Sequence, residues 1–142
     1  MLIADTSGLL AVYNREDAHH GSVRAFLERA AERLAVSPFV VGELDYLVMV
    51  RAGPTASREV LRDLAGNAFE FCTFDGSDLR SAIKVVERYP DQAIGLTDAS
   101  LVVLAERFRT LDILTLDYRH FDVLRPLQGG RFRLMPRDWE GA

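Results

Sequence analysis

One cysteine in 142 residues, Cys72, excludes an internal disulfide. Its place in the run Phe69-Glu70-Phe71-Cys72-Thr73-Phe74 predicts a buried, reduced thiol, since neither a neighbouring histidine nor a helix start is there to activate it. Lysine is as scarce: Lys84 stands alone beside 16 arginines. No apolar run approaches the roughly 18 residues that a spanning helix needs, and no basic segment leading into a long apolar stretch opens the chain, so the cytoplasm is the expected location and no membrane is expected as a partner. A glycine-rich phosphate loop, a dinucleotide fingerprint, a serine–histidine–acid arrangement and a Cys/His cluster at metal-binding spacing are all missing. Missing too is the basic excess of a general nucleic-acid binder, because the net charge is −4.

What remains is globular composition, 49% hydrophobic and 27% charged, with no repeat or low-complexity segment. A single domain over residues 1–142 follows, with its core in about 1–136 and a polar tail beyond. Residues 1–100 carry 10 basic and 15 acidic side chains and residues 101–142 carry 7 and 6, so the C-terminal part is the relatively basic one. An acidic total does not exclude a polyanionic substrate if some of the acids hold cations.

Short apolar runs alternate with helical periodicity along the chain. Strands are predicted at 2–4, 34–36, 69–74, 111–116 and 132–134, and helices at 9–13, 18–33, 39–50, 57–64, 79–89 and 101–108. Thr6 or Ser7 is available to cap the first helix, and Pro38 suits the first turn of the third. That third helix is apolar on nearly every face and is therefore expected to be central. The helix at 79–89 should bury Ala82, Ile83 and Val86, while His19 and His20 are expected at the surface. Strands separated by helices read as an α/β fold: a parallel or mostly parallel sheet of about five short strands, covered by helices on both faces.

Four acids share one physical situation. Asp5 and Asp117 follow strands, Asp98 begins a helix after a loop, and Glu43 interrupts the apolar helix. Each has a bland alternative: Asp5 and Asp117 as helix caps, Asp98 as an acid welcome at a helix N-terminus, Glu43 as one half of a salt bridge. Two acids that end strands of a parallel sheet lie on one edge, however, and helices begin on that edge too. Carboxylates so close need a counter-ion, and a hard divalent cation with oxygen ligands, magnesium above all, is the natural one. Such a site suits phosphoryl chemistry. The haloacid-dehalogenase pattern fails because Asp5-Thr6-Ser7 has no aspartate two residues on, and the phospho-receiver pattern fails because Lys84 lies in a helix.

The segments Asp5-Thr6-Ser7-Gly8-Leu9-Leu10-Ala11, Ser37-Pro38-Phe39-Val40-Val41-Gly42-Glu43-Leu44, Leu96-Thr97-Asp98-Ala99 and Leu114-Thr115-Leu116-Asp117-Tyr118-Arg119-His120-Phe121 resemble the PIN domain, and within it the VapC-type toxins of bacterial toxin–antitoxin pairs. The resemblance spans essentially the whole chain, in order. It implies a PIN-like doubly wound sheet and a magnesium- or manganese-dependent endoribonuclease acting on structured RNA, with Asp5, Glu43, Asp98 and Asp117 at the family's four acidic positions. Asp5, Asp98 and Asp117 would be metal ligands, and Glu43 would orient the attacking water or help it lose a proton. Thr97 and Thr115 could hydrogen-bond to these acids, Arg119 and His120 are candidate RNA contacts, and Asp122 is a possible fifth acid. The family also implies a VapB-type antitoxin in a groove walled by the helices at 18–33 and 39–50, and a homodimer. The alternative is a PIN-like RNA- or protein-binding module that no longer turns over; DNA cleavage or phosphatase activity by the same acids is a weaker one.

Overall fold

Three residues suffice for each strand, because the strands at the centre are covered on both faces and need only apolar side chains. The computed structural model, which describes residues 1–141, contains β1 (Leu2–Ala4), β2 (Leu34–Val36), β3 (Phe69–Phe71), β4 (Asp112–Leu114) and β5 (Arg133–Met135). All pairs are parallel, in the order β3-β2-β1-β4-β5. β1 and β2 are buried at every position, and Leu2, Ile3 and Ala4 lie opposite Leu34, Ala35 and Val36. The chain builds outward from β1 to β2 and β3, then returns to add β4 and β5 on the other side. The order therefore reverses between β1 and β4, and in open parallel sheets that is where ligands bind, beyond the carboxyl ends of the strands.

Seven helices cover the sheet: α1 (Thr6–Tyr13), α2 (His20–Ala30), α3 (Pro38–Ala52), α4 (Pro54–Leu64), α5 (Gly76–Arg88), α6 (Leu96–Phe108) and the single turn α7 (Tyr118–Phe121). Only Asp5 separates β1 from α1, and only Ser37 separates β2 from α3. Ser37 Oγ accepts from Phe39 N (3.2 Å) and so caps α3, with Pro38 in the first turn as expected. Two glycines are required by the backbone. A Cβ on Gly8 would lie 2.7 Å from the Leu114 carbonyl oxygen, so α1 reaches β4 this closely only without a side chain there. Gly53, at φ +89°, is the one residue joining α3 to α4.

The central helix is α6, whose residues 99–105 are all buried, and not α3. On α3 only Val40, Leu44 and Val48 are buried, while Tyr46 and Val50 are 67% and 65% exposed. Apolar composition all round thus served a surface as well as a core. Along α5 the buried residues are Ala82 and Val85, and Ile83 faces out; a capping box between Asp75 and Asp78 starts this helix at Gly76. The helix α2 is shorter than its periodicity suggested, because Asp17 accepts from His19 N at one end and Ala31 turns left-handed at the other. His20 is half-buried, its Nδ1 2.7 Å from the Ala11 carbonyl.

Two strands stop early. β3 ends at Phe71, which is mostly exposed at the sheet edge; Cys72 behind it is buried, and burial raises its pKa. Past Leu114 the β4 ladder makes one more bond, Thr115 N to Met135 O (3.2 Å), before Leu116 N and Asp117 N turn to the hydroxyls of Ser7 and Thr115 at 2.9 Å each. The C-terminal tail is pinned by Trp139, whose ring meets Phe26 edge-on at 5.2 Å.

Candidate active site

The crevice between β1 and β4 is organised around Asp5. It is 5% exposed and its backbone N continues the sheet by bonding to Leu114 O at 2.9 Å. Although it occupies the N-cap position of α1, its side chain caps nothing. Instead Oδ2 accepts from Thr115 Oγ1 (2.7 Å) and from Ser7 Oγ (3.0 Å). Both hydroxyls also accept, Thr115 from Asp117 N and Ser7 from Leu116 N, so the β1 and β4 ends are laced together through one carboxylate. Burial raises the pKa of Asp5; the bonds from Thr115 and Ser7 oppose that, and the nearby charge of Asp117 adds to it.

Asp98 enters from the first turn of α6 and Asp117 from the N-cap of α7. The pKa of Asp98 is raised to about 6, first by burial and then by the charge of Asp5, with His120 lowering it and Asp117 raising it. Asp5, Asp98 and Asp117 therefore act on one another electrostatically. The N-terminus of α6 is tied to that of α3 by buried hydroxyls: Ser100 Oγ donates to Thr97 O (2.6 Å) and lies 2.8 Å from Ser37 Oγ, which must then be the donor between the two.

His120, one turn after Asp117, sits among these acids. Its Nδ1 lies 2.8 Å from Asp98 Oδ2 and 3.1 Å from Asp117 Oδ2. That nitrogen is buried, with both carboxylate oxygens close to it. Among the described residues, Asp98, Asp117 and His120 form a set of possible metal-binding atoms all within 4.8 Å of one another. Acids held so close that one resists ionisation are a site that fits a divalent cation.

A PIN-domain family model matches residues 2–125, nearly the whole of this architecture. The chain belongs to the PIN-domain family. It is 48% identical over 135 residues to Ribonuclease VapC26 of Mycobacterium tuberculosis, spanning 95% of this chain and all of that one. Among solved structures it is similar to VapC20 of M. tuberculosis, a sarcin–ricin-loop-cleaving toxin, with TM-score 0.77 and 18% identity over 83% of this chain and 91% of that one. A toxin–antitoxin complex from Klebsiella pneumoniae gives TM-score 0.65 and 16% identity, over 87% and 92%. These structures share the fold, and the VapC26 match makes the chain a homologue of a VapC ribonuclease.

Within the PIN fold, the sequence-derived residues fare differently. Asp5, Asp98 and Asp117 converge, and Thr115 bonds Asp5. Among the described residues Thr97 makes no side-chain bond to the acids; its carbonyl is taken by Ser100. Glu43 is exposed on α3 and, among the described residues, has no hydrogen-bond or ion-pair partner; the half-buried acid on that helix is Asp45, bonded to the buried Ser57 of α4. Arg119 is exposed, whereas His120 is drawn in. Asp122 stands apart, held by both arms of Arg137 at 2.9 and 3.0 Å. Ser7 was missed as a ligand of Asp5, and only its position two residues on, where a first-turn hydroxyl can fold back, hinted at it.

On a different face, α1, α3 and α4 enclose a groove of about 710 Å³ whose lining includes Leu10, Tyr13, Leu47, Arg51, Val60 and Asp63. Tyr13 also borders a smaller hollow against α2 with Val12 and Leu27. The main groove's walls are thus α1, α3 and α4, with α2 contributing only to its neighbour. No helix among the described residues is long and apolar enough to cross a membrane.

Proposed function

We propose that this chain is a divalent-cation-dependent endoribonuclease of the VapC type. The observation that supports it most is the meeting of Asp5, Asp98 and Asp117 at the β1/β4 reversal point, with the pKa of Asp98 pushed to about 6. Asp5, Asp98 and Asp117 would hold a magnesium or manganese ion. When bound, such an ion polarises a phosphodiester oxygen, makes water a better nucleophile and offsets charge as the bond breaks. Thr115 and Ser7 hold the buried Asp5 oxygen in a fixed direction, and Asp117 is oriented by its own backbone bond to Thr115. Glu43, exposed and without a partner among the described residues, would take a proton from water once RNA covers the site. Arg119, exposed and two residues after Asp117, would meet a phosphate of the RNA.

The proposed substrate class is structured RNA; that the VapC26 relative is a ribonuclease supports RNA. A VapB-type antitoxin would be the inhibitor; the likeness to the Klebsiella toxin–antitoxin complex and the partly apolar groove of α1, α3 and α4 support that partner. A homodimer is proposed on the family resemblance alone. The alternative is a PIN-like binding module that does not turn over. Incubating structured RNA with purified protein and magnesium or manganese separates the two. Cleavage that chelator abolishes and Asp98→Asn removes supports the nuclease; binding without cleavage, indifferent to chelator, overturns it.

A further inference from the structure

We infer that His120 is itself a ligand of the divalent cation, so that one imidazole nitrogen joins the carboxylates of Asp98 and Asp117, with Asp5 beside them. The inference rests on the cation-dependent reading above and deepens it.

Three observations carry it. First, metal–ligand bonds of about 2.1 Å at right angles place neighbouring ligand atoms about 3.0 Å apart. The separations of Nδ1 from the Asp98 and Asp117 oxygens, 2.8 and 3.1 Å, bracket that edge. Second, Nδ1 is buried with two carboxylate oxygens beside it and is aligned with neither, so one small volume gathers three atoms that could share an ion. Third, the turn that carries His120 is clamped. Arg137 grips Asp122 with both arms, lies 4.7 Å over the ring of Tyr118, and so holds the residues on either side of Arg119 and His120.

The chemical consequence concerns metal choice. Carboxylates alone suit magnesium, calcium and manganese, whereas an imidazole ligand favours ions further along the transition series. An Asp/Asp/His centre should therefore discriminate for manganese over magnesium more strongly than carboxylates alone.

The test uses the full chain, manganese and electron paramagnetic resonance. Wild-type protein with bound manganese is expected to show coupling to a directly bonded imidazole nitrogen. His120→Ala should lose that coupling, bind manganese about tenfold more weakly, and show a manganese-over-magnesium preference narrowed by a similar factor in competition titrations. His19 and His20 remain in the variant as internal controls. Manganese bound to wild type without nitrogen coupling overturns the inference while leaving the nuclease reading intact, and this result does not depend on whether the variant folds. Coupling and affinity unchanged in a folded His120→Ala overturn it as well. No bound manganese at all overturns both readings.

Discussion

The end of β1 and the outer side of α3 are written in the same apolar alphabet, yet they were put to opposite uses. Leu2, Ile3 and Ala4 are 0% exposed, and the acid after them has its buried oxygen bonded by two hydroxyls. Tyr46 and Val50 lie largely in solvent, and of the two acids that precede Tyr46 on this helix Asp45 is bonded to Ser57 while Glu43 has no partner among the described residues. The difference teaches that apolar content predicts burial only once the neighbours are known. A strand between two strands has no free side. A helix at the rim has one, and an apolar free side is an invitation to a partner.

The largest effect should come from breaking the built region. Asp5→Ala or Asp98→Asn is expected to lower RNA cleavage by roughly 10²–10³-fold at saturating magnesium or manganese, measured on a fluorescent structured RNA. Glu43→Gln should cost roughly tenfold, less than the ~10² usual for a fully positioned base, and parity with Asp98→Asn would erase the contrast between the two regions. Gly8→Ala drives a Cβ toward the Leu114 carbonyl and should destabilise the fold by about 1–3 kcal/mol in urea unfolding; Gly21→Ala, with open space around it, is the control. Thr115→Val removes one donor to Asp5 and one acceptor for Asp117 N, and roughly 1–3 kcal/mol of stability should go with them.

The pH dependence sharpens the same contrast. The folded-state pKa of Asp98 is about 6 against an ordinary 3.8, so the folded chain binds this proton more tightly than the unfolded one. Its contribution to stability is full below about pH 4 and is lost as pH rises through 6. Melting temperature of metal-free protein should fall across that window, magnesium should restore it at pH 7, and Asp98→Asn should flatten the slope. A steeper slope in Asp98→Asn than in wild type would contradict the burial that raises this pKa. Smallest of all, Tyr46→Ser or Val50→Ser should change stability by no more than about 0.5 kcal/mol. A larger loss would show that this side of α3 is packed.

Much of this was legible in the sequence. Asp5, Asp98 and Asp117 could be placed together because strand ends and helix starts of a parallel sheet share an edge, a rule that needs only element order. Thr115 was legible for the same reason, being two residues before Asp117. The position of His120 was not, because one turn of helix after a strand can aim a side chain inward or outward, and the clamp on Asp122 that decides it comes from Arg137 across the fold. The exposure of Glu43 and the exchange of roles between α3 and α6 were hidden for a related reason: two helices of similar apolarity compete for one interior place, and periodicity does not say which wins.

The single-residue joints after β1 and β2 carry a further meaning. With nothing but Asp5 or Ser37 between sheet and helix, the amide ends of α1 and α3 open directly onto the crevice, joined by those of α6 and α7. Backbone N–H groups at such ends carry partial positive charge, roughly half a unit for a full helix. A phosphate chain approaching a nominally negative protein would therefore meet, around the acids, a collar of favourable dipoles. One residue inserted at either joint would swing a helix away and open that collar.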